Sequence, residues 1–129
     1  MRGTGLWHPR LLAVVAAMGH GDLLVVADPG LPVPAGVEVI DLVVSRGEPG
    51  FLTVLRPVLG ELVVEAATMA EELTDDKLAA AVRDSLGAVP LDLVPHEELK
   101  ARTGRARAVV RTGADTPYAN IVLRAGVPF

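Results

Sequence analysis

The sequence contains no cysteine, which excludes disulfide bonds, thiolate nucleophiles and cysteine-ligated metals. Positive charge is also scarce: 12 Lys and Arg stand against 16 Asp and Glu, the net charge is -4, and no basic run is present. A partner with a phosphate backbone is therefore disfavoured, and we expect no nucleic-acid binding. The absence of cysteine suits a reducing compartment, so we expect a cytoplasmic protein.

Long hydrophobic segments are lacking as well. The apolar run 11–18 follows Pro9 and precedes Gly19, an arrangement typical of a short helix with proline in its first turn and glycine after its end. A membrane-spanning helix needs about 20 apolar residues, so we expect no membrane segment. We interpret residues 11–18 as a buried helix rather than as the core of a signal peptide.

Cofactor motifs are missing too. No glycine-rich dinucleotide motif or phosphate loop follows a predicted strand, and the three histidines are too widely spaced to form a metal-ligand pattern. We therefore expect no metal and no organic cofactor. There are no internal repeats or low-complexity segments.

The sequence is rich in apolar residues for its length. With 129 residues it fits one domain, which we expect to span residues 1–129. Its mean hydropathy of +0.41 is high for so short a chain, whose surface-to-volume ratio leaves much of the surface exposed. We therefore expect other subunits to cover part of that surface.

Strand-like and helical segments alternate along the chain. Strands are predicted at residues 23–27, 37–44, 61–67, 91–94, 106–111 and 121–123, and helices at 9–18, 51–59, 74–86 and 95–103. This alternation predicts an α/β fold, a three-layer α/β/α single domain with a parallel or mixed central sheet. Three local details are also expected: His8 caps the first helix, Pro57 kinks or shortens the second, and Thr74 caps the third.

The apolar residues 23–27, bounded by turn formers, predict a strand buried on both faces. Asp28 follows it directly, where ligands bind in open α/β sheets, so Asp28 is a candidate ligand-contacting carboxylate. His20 lies in the turn that enters the strand and is a candidate acid or base. The structural alternatives are a turn residue for His20 and a turn cap for Asp28. For Asp41, in the next predicted strand, the alternatives are that it lines the same crevice or that it is a polar group with its hydrogen bonds satisfied within the protein.

Two polar residues near the carboxyl end form a second candidate group. Tyr118 and Asn120 follow a loop of Thr, Gly, Asp and Pro residues, in a chain with only 3% aromatic residues. This arrangement is a modest signal for ligand binding, and a purely structural tyrosine is an equal alternative.

Several motifs resemble those of the D-ribose pyranase (ribose mutarotase) family, whose close relatives are the L-fucose mutarotases. They occur in the family's order over essentially the whole chain. The matching motifs are Gly19-His20-x-Asp22, Val25-x-Ala27-Asp28, Gly30-Leu31-Pro32-Val33-Pro34, His96-Glu97-Glu98, Arg111-Thr112-Gly113, Thr116-Pro117-Tyr118-Ala119-Asn120 and Ala125-Gly126-Val127.

The resemblance implies a cofactor-free isomerase that interconverts the pyranose and furanose forms of D-ribose. By this resemblance His20 corresponds to the proton donor. The sugar-binding positions that it implies are Asp28, His96, Tyr118, Ala119 and Asn120. The family's ring-shaped oligomers, commonly decamers built from pentamers, imply a homo-oligomer in which the loop around Tyr118 completes a neighbour's site.

Three alternatives to this interpretation follow from the same residues. Ribose-type members often have Thr where this chain has Gly21. The presence of Gly21, together with His8-Pro9, makes the chain similar to the fucose mutarotases. The proline-spaced loop after Asp28 and the motif at residues 111–113 favour ribose. A non-catalytic sugar-binding module would keep Asp28 but would not need His20 to titrate. A purely structural subunit would bind no sugar.

Overall fold

The computed structural model describes residues 1–129 and confirms the predicted three-layer α/β/α arrangement. Its four helices are α1 (Pro9–Ala17), α2 (Phe51–Glu61), α3 (Asp76–Leu86) and α4 (His96–Thr103). Its six strands are β1 (Leu23–Ala27), β2 (Glu38–Asp41), β3 (Val64–Ala70), β4 (Leu91–Val94), β5 (Ala106–Arg111) and β6 (Ile121–Ala125). None of the helices is long and apolar enough to cross a bilayer.

The six strands form one mixed sheet in the order β2-β5-β1-β6-β3-β4. Strands β1 to β5 run in the same direction, and β6 lies antiparallel between β1 and β3. The sheet therefore has a carboxyl edge, where β1 to β5 end and β6 begins, and an amino edge, where β1 to β5 begin and β6 ends. This geometry decides which side chains can meet.

The two faces of the sheet are covered unequally. Leu24 and Val26 of β1 pack into the larger core cluster with α1, α2 and α3, whereas Val25 and Ala27 pack with Leu99 of α4. All five are at most 1% exposed, as expected of a strand buried on both faces. Because α4 is the only helix on its face, a groove of about 770 Å³ remains open beside it toward the amino edge.

Strand β3 begins and ends three residues later than predicted. Glu61 is the last residue of α2, where its carboxylate accepts hydrogen bonds from Arg2 and from the Leu6 backbone N–H. Leu62 follows as a buried helix cap, so the apolar run after Glu61 spans a turn rather than a strand. Gly60 lies within the last turn of α2 rather than after it, so it does not mark the helix end, and the sequence pattern is ambiguous there.

Other local predictions had mixed outcomes. His8 does cap α1, because its Nδ1 accepts the Leu11 backbone N–H at 3.2 Å. The cap of α3 is Asp75 rather than Thr74, since Asp75 Oδ1 accepts the Leu78 N–H at 3.0 Å. Aspartate is favoured at the N-cap position at least as much as threonine, and it adds a negative charge at the amino end of the helix.

Pro57 was expected to kink or shorten α2, but the helix is not shortened. α2 continues past Pro57 to Glu61, with Val54, Leu55 and Val58 buried in the core. The free energy of burying this apolar stripe offsets the backbone hydrogen bond that proline cannot make. Strand β2 is shorter than predicted and covers only Glu38–Asp41.

Candidate functional site

Strand β1 carries its two polar neighbours to opposite edges of the sheet. Asp28 follows the strand at the carboxyl edge, and His20 precedes it at the amino edge. A strand rises about 3.3 Å per residue, so the two positions are separated by roughly 15 Å or more. A single chain therefore does not bring His20 together with Asp28.

At the carboxyl edge, Asp28 is held by Asn120. The Asn120 Nδ2 group donates to Asp28 Oδ2 at 3.1 Å, and Asn120 Oδ1 accepts the Asp28 backbone N–H at 2.9 Å. Asp28 Oδ1 also accepts the Gly30 N–H at 2.8 Å, which closes a turn after the strand. The carboxylate thus has a fixed orientation and lone pairs left for a ligand.

Tyr118 and His96 lie against each other at the same edge. Their rings meet edge to face, with centroids 5.0 Å apart and planes at 78°. Tyr118 has a φ of 64°, the only residue other than glycine with a positive φ. Such a backbone conformation is strained for a bulky side chain and is enriched at binding sites.

His96 is placed by the amino end of α4. Its backbone N–H is accepted by both oxygens of the Glu72 carboxylate at 3.0 Å, which caps the helix from the loop after β3. The His96 Nδ1 atom is buried and has no hydrogen-bond partner. A buried imidazole nitrogen without a partner is available to a ligand hydroxyl.

The loop that leads to Tyr118 is fastened to the end of β1. Both the backbone N–H and the hydroxyl of Thr112 donate to the Ala27 carbonyl, at 2.8 and 2.9 Å. Gly113 lies so close to Glu48 that a Cβ atom there would overlap the Glu48 backbone. The motif at residues 111–113 therefore sets the path of the chain toward Tyr118.

At the amino edge, His20 belongs to a separate polar cluster. Its Nε2 lies 2.8 Å from Glu65 Oε2, and the Arg124 Nε forms an ion pair with Glu65 Oε1 at 2.8 Å. Asp22 Oδ2 accepts the backbone N–H of Gly19 at 2.8 Å, which closes the turn that presents His20. The His20 side chain is 57% exposed and is therefore open to another molecule.

The comparison with known proteins assigns the family. A model of the RbsD / FucU transport protein family matches residues 1–128. The chain belongs to this family. A D-ribose pyranase of Symbiobacterium thermophilum is 52% identical over 131 residues, with both chains covered completely. A D-ribose pyranase of Geobacillus kaustophilus is 47% identical, with all of this chain and 96% of the relative covered.

Solved structures of the RbsD / FucU family share the fold. The structure of Bacillus subtilis RbsD complexed with D-ribose has a TM-score of 0.95 and 38% identity, with both chains covered completely. The fucose mutarotase of Streptococcus pneumoniae in complex with L-fucose has a TM-score of 0.80 and 25% identity, with 95% of this chain and 94% of that chain covered.

The five positions predicted to bind sugar lie together at the carboxyl edge, but they are not equally accessible. Asp28, His96 and Tyr118 are partly exposed, and Tyr118 is 38% exposed. Ala119 and Asn120 have no accessible surface in this chain. Of this buried pair, Asn120 supports the exposed Asp28 directly through its two hydrogen bonds.

Two residues of the amino-edge cluster escaped prediction from sequence. Glu65 and Arg124 lie in segments that read as ordinary strands, and their pairing depends on how β3 and β6 are aligned. The only local signal was the position of Glu65 within an otherwise apolar strand-like run. That pattern is common to many solvated strand residues and points to no partner.

Asp41 lies at the carboxyl edge, where the structure supports its interpretation as a satisfied polar group. Its Oδ1 accepts the Val43 backbone N–H at 3.0 Å, and its Oδ2 lies 3.1 Å from Arg111 Nη1. The Val43 hydrogen bond, followed by Arg111, lowers the pKa of Asp41 below its usual value.

The chain holds no group of three or more His, Cys, Asp or Glu that could bind a metal ion.

Proposed function

We propose that this chain is a sugar isomerase that interconverts the pyranose and furanose forms of D-ribose. The observation that carries the proposal is the carboxyl-edge cluster, in which Asn120 fixes the Asp28 carboxylate and the imidazole of His96 packs against the phenol of Tyr118. These groups can hydrogen-bond the vicinal hydroxyls of a monosaccharide. Full-length relatives named D-ribose pyranase support the same assignment.

The reaction requires only proton transfer. The bond between the anomeric carbon and the ring oxygen breaks, the ring oxygen takes up a proton, and the anomeric hydroxyl loses its proton as its oxygen forms the aldehyde. Water is a sufficient acceptor for that proton. Closure through a different hydroxyl reverses these steps, so no redox or carbon-centred chemistry is needed.

We assign the proton donated to the ring oxygen to His20. An imidazole with an ordinary pKa of about 6.5 gives and takes protons near neutrality. Asp28, His96 and Tyr118 would bind the sugar hydroxyls. Ala119 and Asn120 would contribute to sugar binding by holding these three side chains in position.

The site is proposed to form between two subunits. His20 and Asp28 lie at opposite ends of β1, so both can touch one sugar only if the amino edge of one chain meets the carboxyl edge of a neighbour. Such a head-to-tail contact repeats around a closed ring. We propose a homo-oligomer of this kind, a decamer of pentameric rings, and a cytoplasmic location.

Ribose is preferred to fucose as the substrate. The likeness to the D-ribose complex exceeds the likeness to the L-fucose complex in both TM-score and identity. The Thr112 and Gly113 contacts that fasten the carboxyl-edge loop fall in the motif that favours ribose. Substrate preference thus has support from both comparison and local geometry.

Magnetisation-exchange NMR tests the function directly. Saturation of the anomeric proton of ribopyranose should transfer to ribofuranose in the presence of the protein, faster than in buffer alone, and the same measurement on L-fucose should show weaker catalysis. A faster exchange for fucose would make the chain a fucose mutarotase. Ribose binding without faster exchange would make it a non-catalytic sugar-binding module, and no binding would leave only the structural-subunit alternative.

A further inference from the structure

Glu65 is fixed between two partners that come from distant parts of the chain. One carboxylate oxygen lies 2.8 Å from His20 Nε2, and the other forms an ion pair with Arg124, 2.8 Å from its Nε. The carboxylate therefore cannot rotate without losing one of its two contacts. Its only histidine neighbour is the residue to which proton transfer is assigned.

The backbone around Glu65 is shaped to aim this side chain. The pairing of β3 with β6 shifts register between Val64 and Ala66, so Glu65 occupies an irregularity in the ladder. Irregularities of this kind redirect a side chain next to active sites. A Cβ atom at Gly126 would lie 3.0 Å from the Glu65 Cβ, so glycine at this position leaves the room that Glu65 occupies.

We propose that Glu65 is the positioning residue for His20, and that it holds the proton on Nε2 so that Nδ1 is the nitrogen that faces the sugar. This inference rests on the proposed function. An ionised carboxylate can only accept hydrogen bonds, so the imidazole nitrogen beside it must carry a proton. The nitrogen that a histidine uses for chemistry is set in this way by the hydrogen bond of the other nitrogen.

This arrangement assigns separate tasks to the two ring nitrogens. When His20 is protonated, the Nδ1 proton is the one given to the ring oxygen as the bond to the anomeric carbon breaks. The Nε2 proton stays on the Glu65 side throughout. After the transfer, the neutral ring keeps an unprotonated Nδ1, which takes a proton back when the ring oxygen or another hydroxyl attacks the aldehyde. Glu65 thus touches neither substrate nor reacting atoms.

An ordinary surface ion pair is the alternative explanation. His20, Glu65 and Arg124 are 57%, 34% and 56% exposed, and exposed pairs contribute little to stability. A merely structural Glu65 would therefore alter neither the tautomer of His20 nor the exchange rate when it is replaced. Both quantities can be measured.

Two variants with a matched control test the proposal. Glu65→Ala removes the acceptor, whereas Glu65→Gln keeps a neutral amide oxygen of nearly the same shape. Glu38→Ala is the control, because Glu38 is also an arginine-paired strand residue, 36% exposed against 34% for Glu65. Ribose exchange by NMR and the imidazole nitrogen shifts of His20, assigned with His20→Ala, are recorded for each protein.

We expect Glu65→Ala to lower the maximal exchange rate about 10- to 100-fold, the usual effect of losing a group that orients a functional histidine. Ribose affinity should be kept, Glu65→Gln should be intermediate, and Glu38→Ala should match the unaltered protein. The nitrogen shifts should show neutral His20 protonated on Nε2 in the unaltered protein and as a mixture of tautomers in Glu65→Ala.

Unchanged exchange in a folded Glu65→Ala protein would overturn the proposal, as would a proton on Nδ1 of neutral His20 in the unaltered protein. The tautomer measurement on the unaltered protein needs only His20→Ala for its assignment, so it decides the matter even if Glu65→Ala fails to fold. A fully active His20→Ala protein would instead overturn the proposed role of His20, which separates the two failures.

Discussion

Asn120 and Asp28 exchange two hydrogen bonds across 92 positions of sequence, one through the Asp28 backbone N–H and one through its carboxylate. Asn120 is fully buried, so its amide has no water to replace either bond. Only a side chain with one acceptor and one donor fits both. The orientation of the Asp28 carboxylate is therefore set by a residue that a ligand cannot reach.

Replacing that amide should weaken both stability and binding. In Asn120→Asp, an acceptor would face Asp28 Oδ2 where a donor is needed, and we expect a loss of roughly 1–3 kcal/mol in the free energy of unfolding together with weaker ribose affinity. Denaturant unfolding and ribose titration provide the measurements. Thr103→Val, at another buried polar residue whose hydroxyl donates to the Lys100 carbonyl, should lower stability alone. Unchanged affinity in a folded Asn120→Asp protein would contradict the prediction.

His20 and Asp28 should separate rate from affinity. His20→Ala should lower the maximal exchange rate on the order of 10²-fold or more with affinity largely kept, because a positioned acid–base group is lost. Asp28→Asn should weaken affinity at least as much as rate. Thermal unfolding of the same samples serves as a control, since the exposed His20 side chain contributes little to packing. An undiminished rate in a folded His20→Ala protein would remove His20 from the mechanism.

Mixing these two impaired variants should restore part of the activity. If His20 and Asp28 of one site come from different chains, random assembly of equal amounts of His20→Ala and Asp28→Asn chains yields unaltered sites at about a quarter of the interfaces. Unfolding and refolding the mixture, followed by the exchange assay, tests this, with each variant refolded alone as the control. No recovery in a mixed oligomer, or full activity of a monomer in sedimentation, would place the site within one chain.

Asp41 should make a small contribution to stability that depends on pH. Its pKa is lowered in the folded chain by the Val43 N–H and then by Arg111. A lowered carboxyl pKa stabilises the fold above the unfolded-state pKa of about 3.9, and this contribution is lost as the pH falls through the folded-state value.

Asp41→Asn should therefore be less stable than the unaltered chain at pH 7, by under about 1 kcal/mol because the side chain is half exposed. The difference should shrink as the pH falls below about 4. Chemical unfolding across this pH range measures it. Asp84→Asn, at an exposed aspartate on α3, is the control and should show no such dependence. A difference that grows in acid would reverse the sign that the hydrogen bonds require.

The sequence predicted most strands because turn-forming residues bound them. β1, β4 and β5 begin and end where predicted, and each is followed directly by Asp, Pro or Thr. The β3 prediction was wrong because α2 continues through Gly60 to Glu61, so the end of the helix and the start of the strand could not be separated by pattern alone. Pro57 did not shorten α2 as predicted, because tertiary packing outweighed the low helix propensity of proline.

The carboxyl-edge and amino-edge parts of the proposed site differed in how far the sequence predicted them. Asp28 and Tyr118 lie beside strand ends, where the α/β rule already directs attention. Glu65 and Arg124 lie within strands, and their partnership with His20 depends on a register shift between β3 and β6 that no local pattern reveals. Contacts of this kind follow from the alignment of distant segments.

The antiparallel course of β6 has one further consequence. The strand begins beside Asn120, which serves the carboxyl edge, and its fourth residue is Arg124, which serves the amino edge. In a head-to-tail ring, the length of each copy of β6 would thus set the distance between two successive sites. Adding or removing one residue would turn Arg124 to the opposite sheet face and unsettle both sites at once. The five-residue length of this strand should therefore tolerate substitutions far better than insertions or deletions.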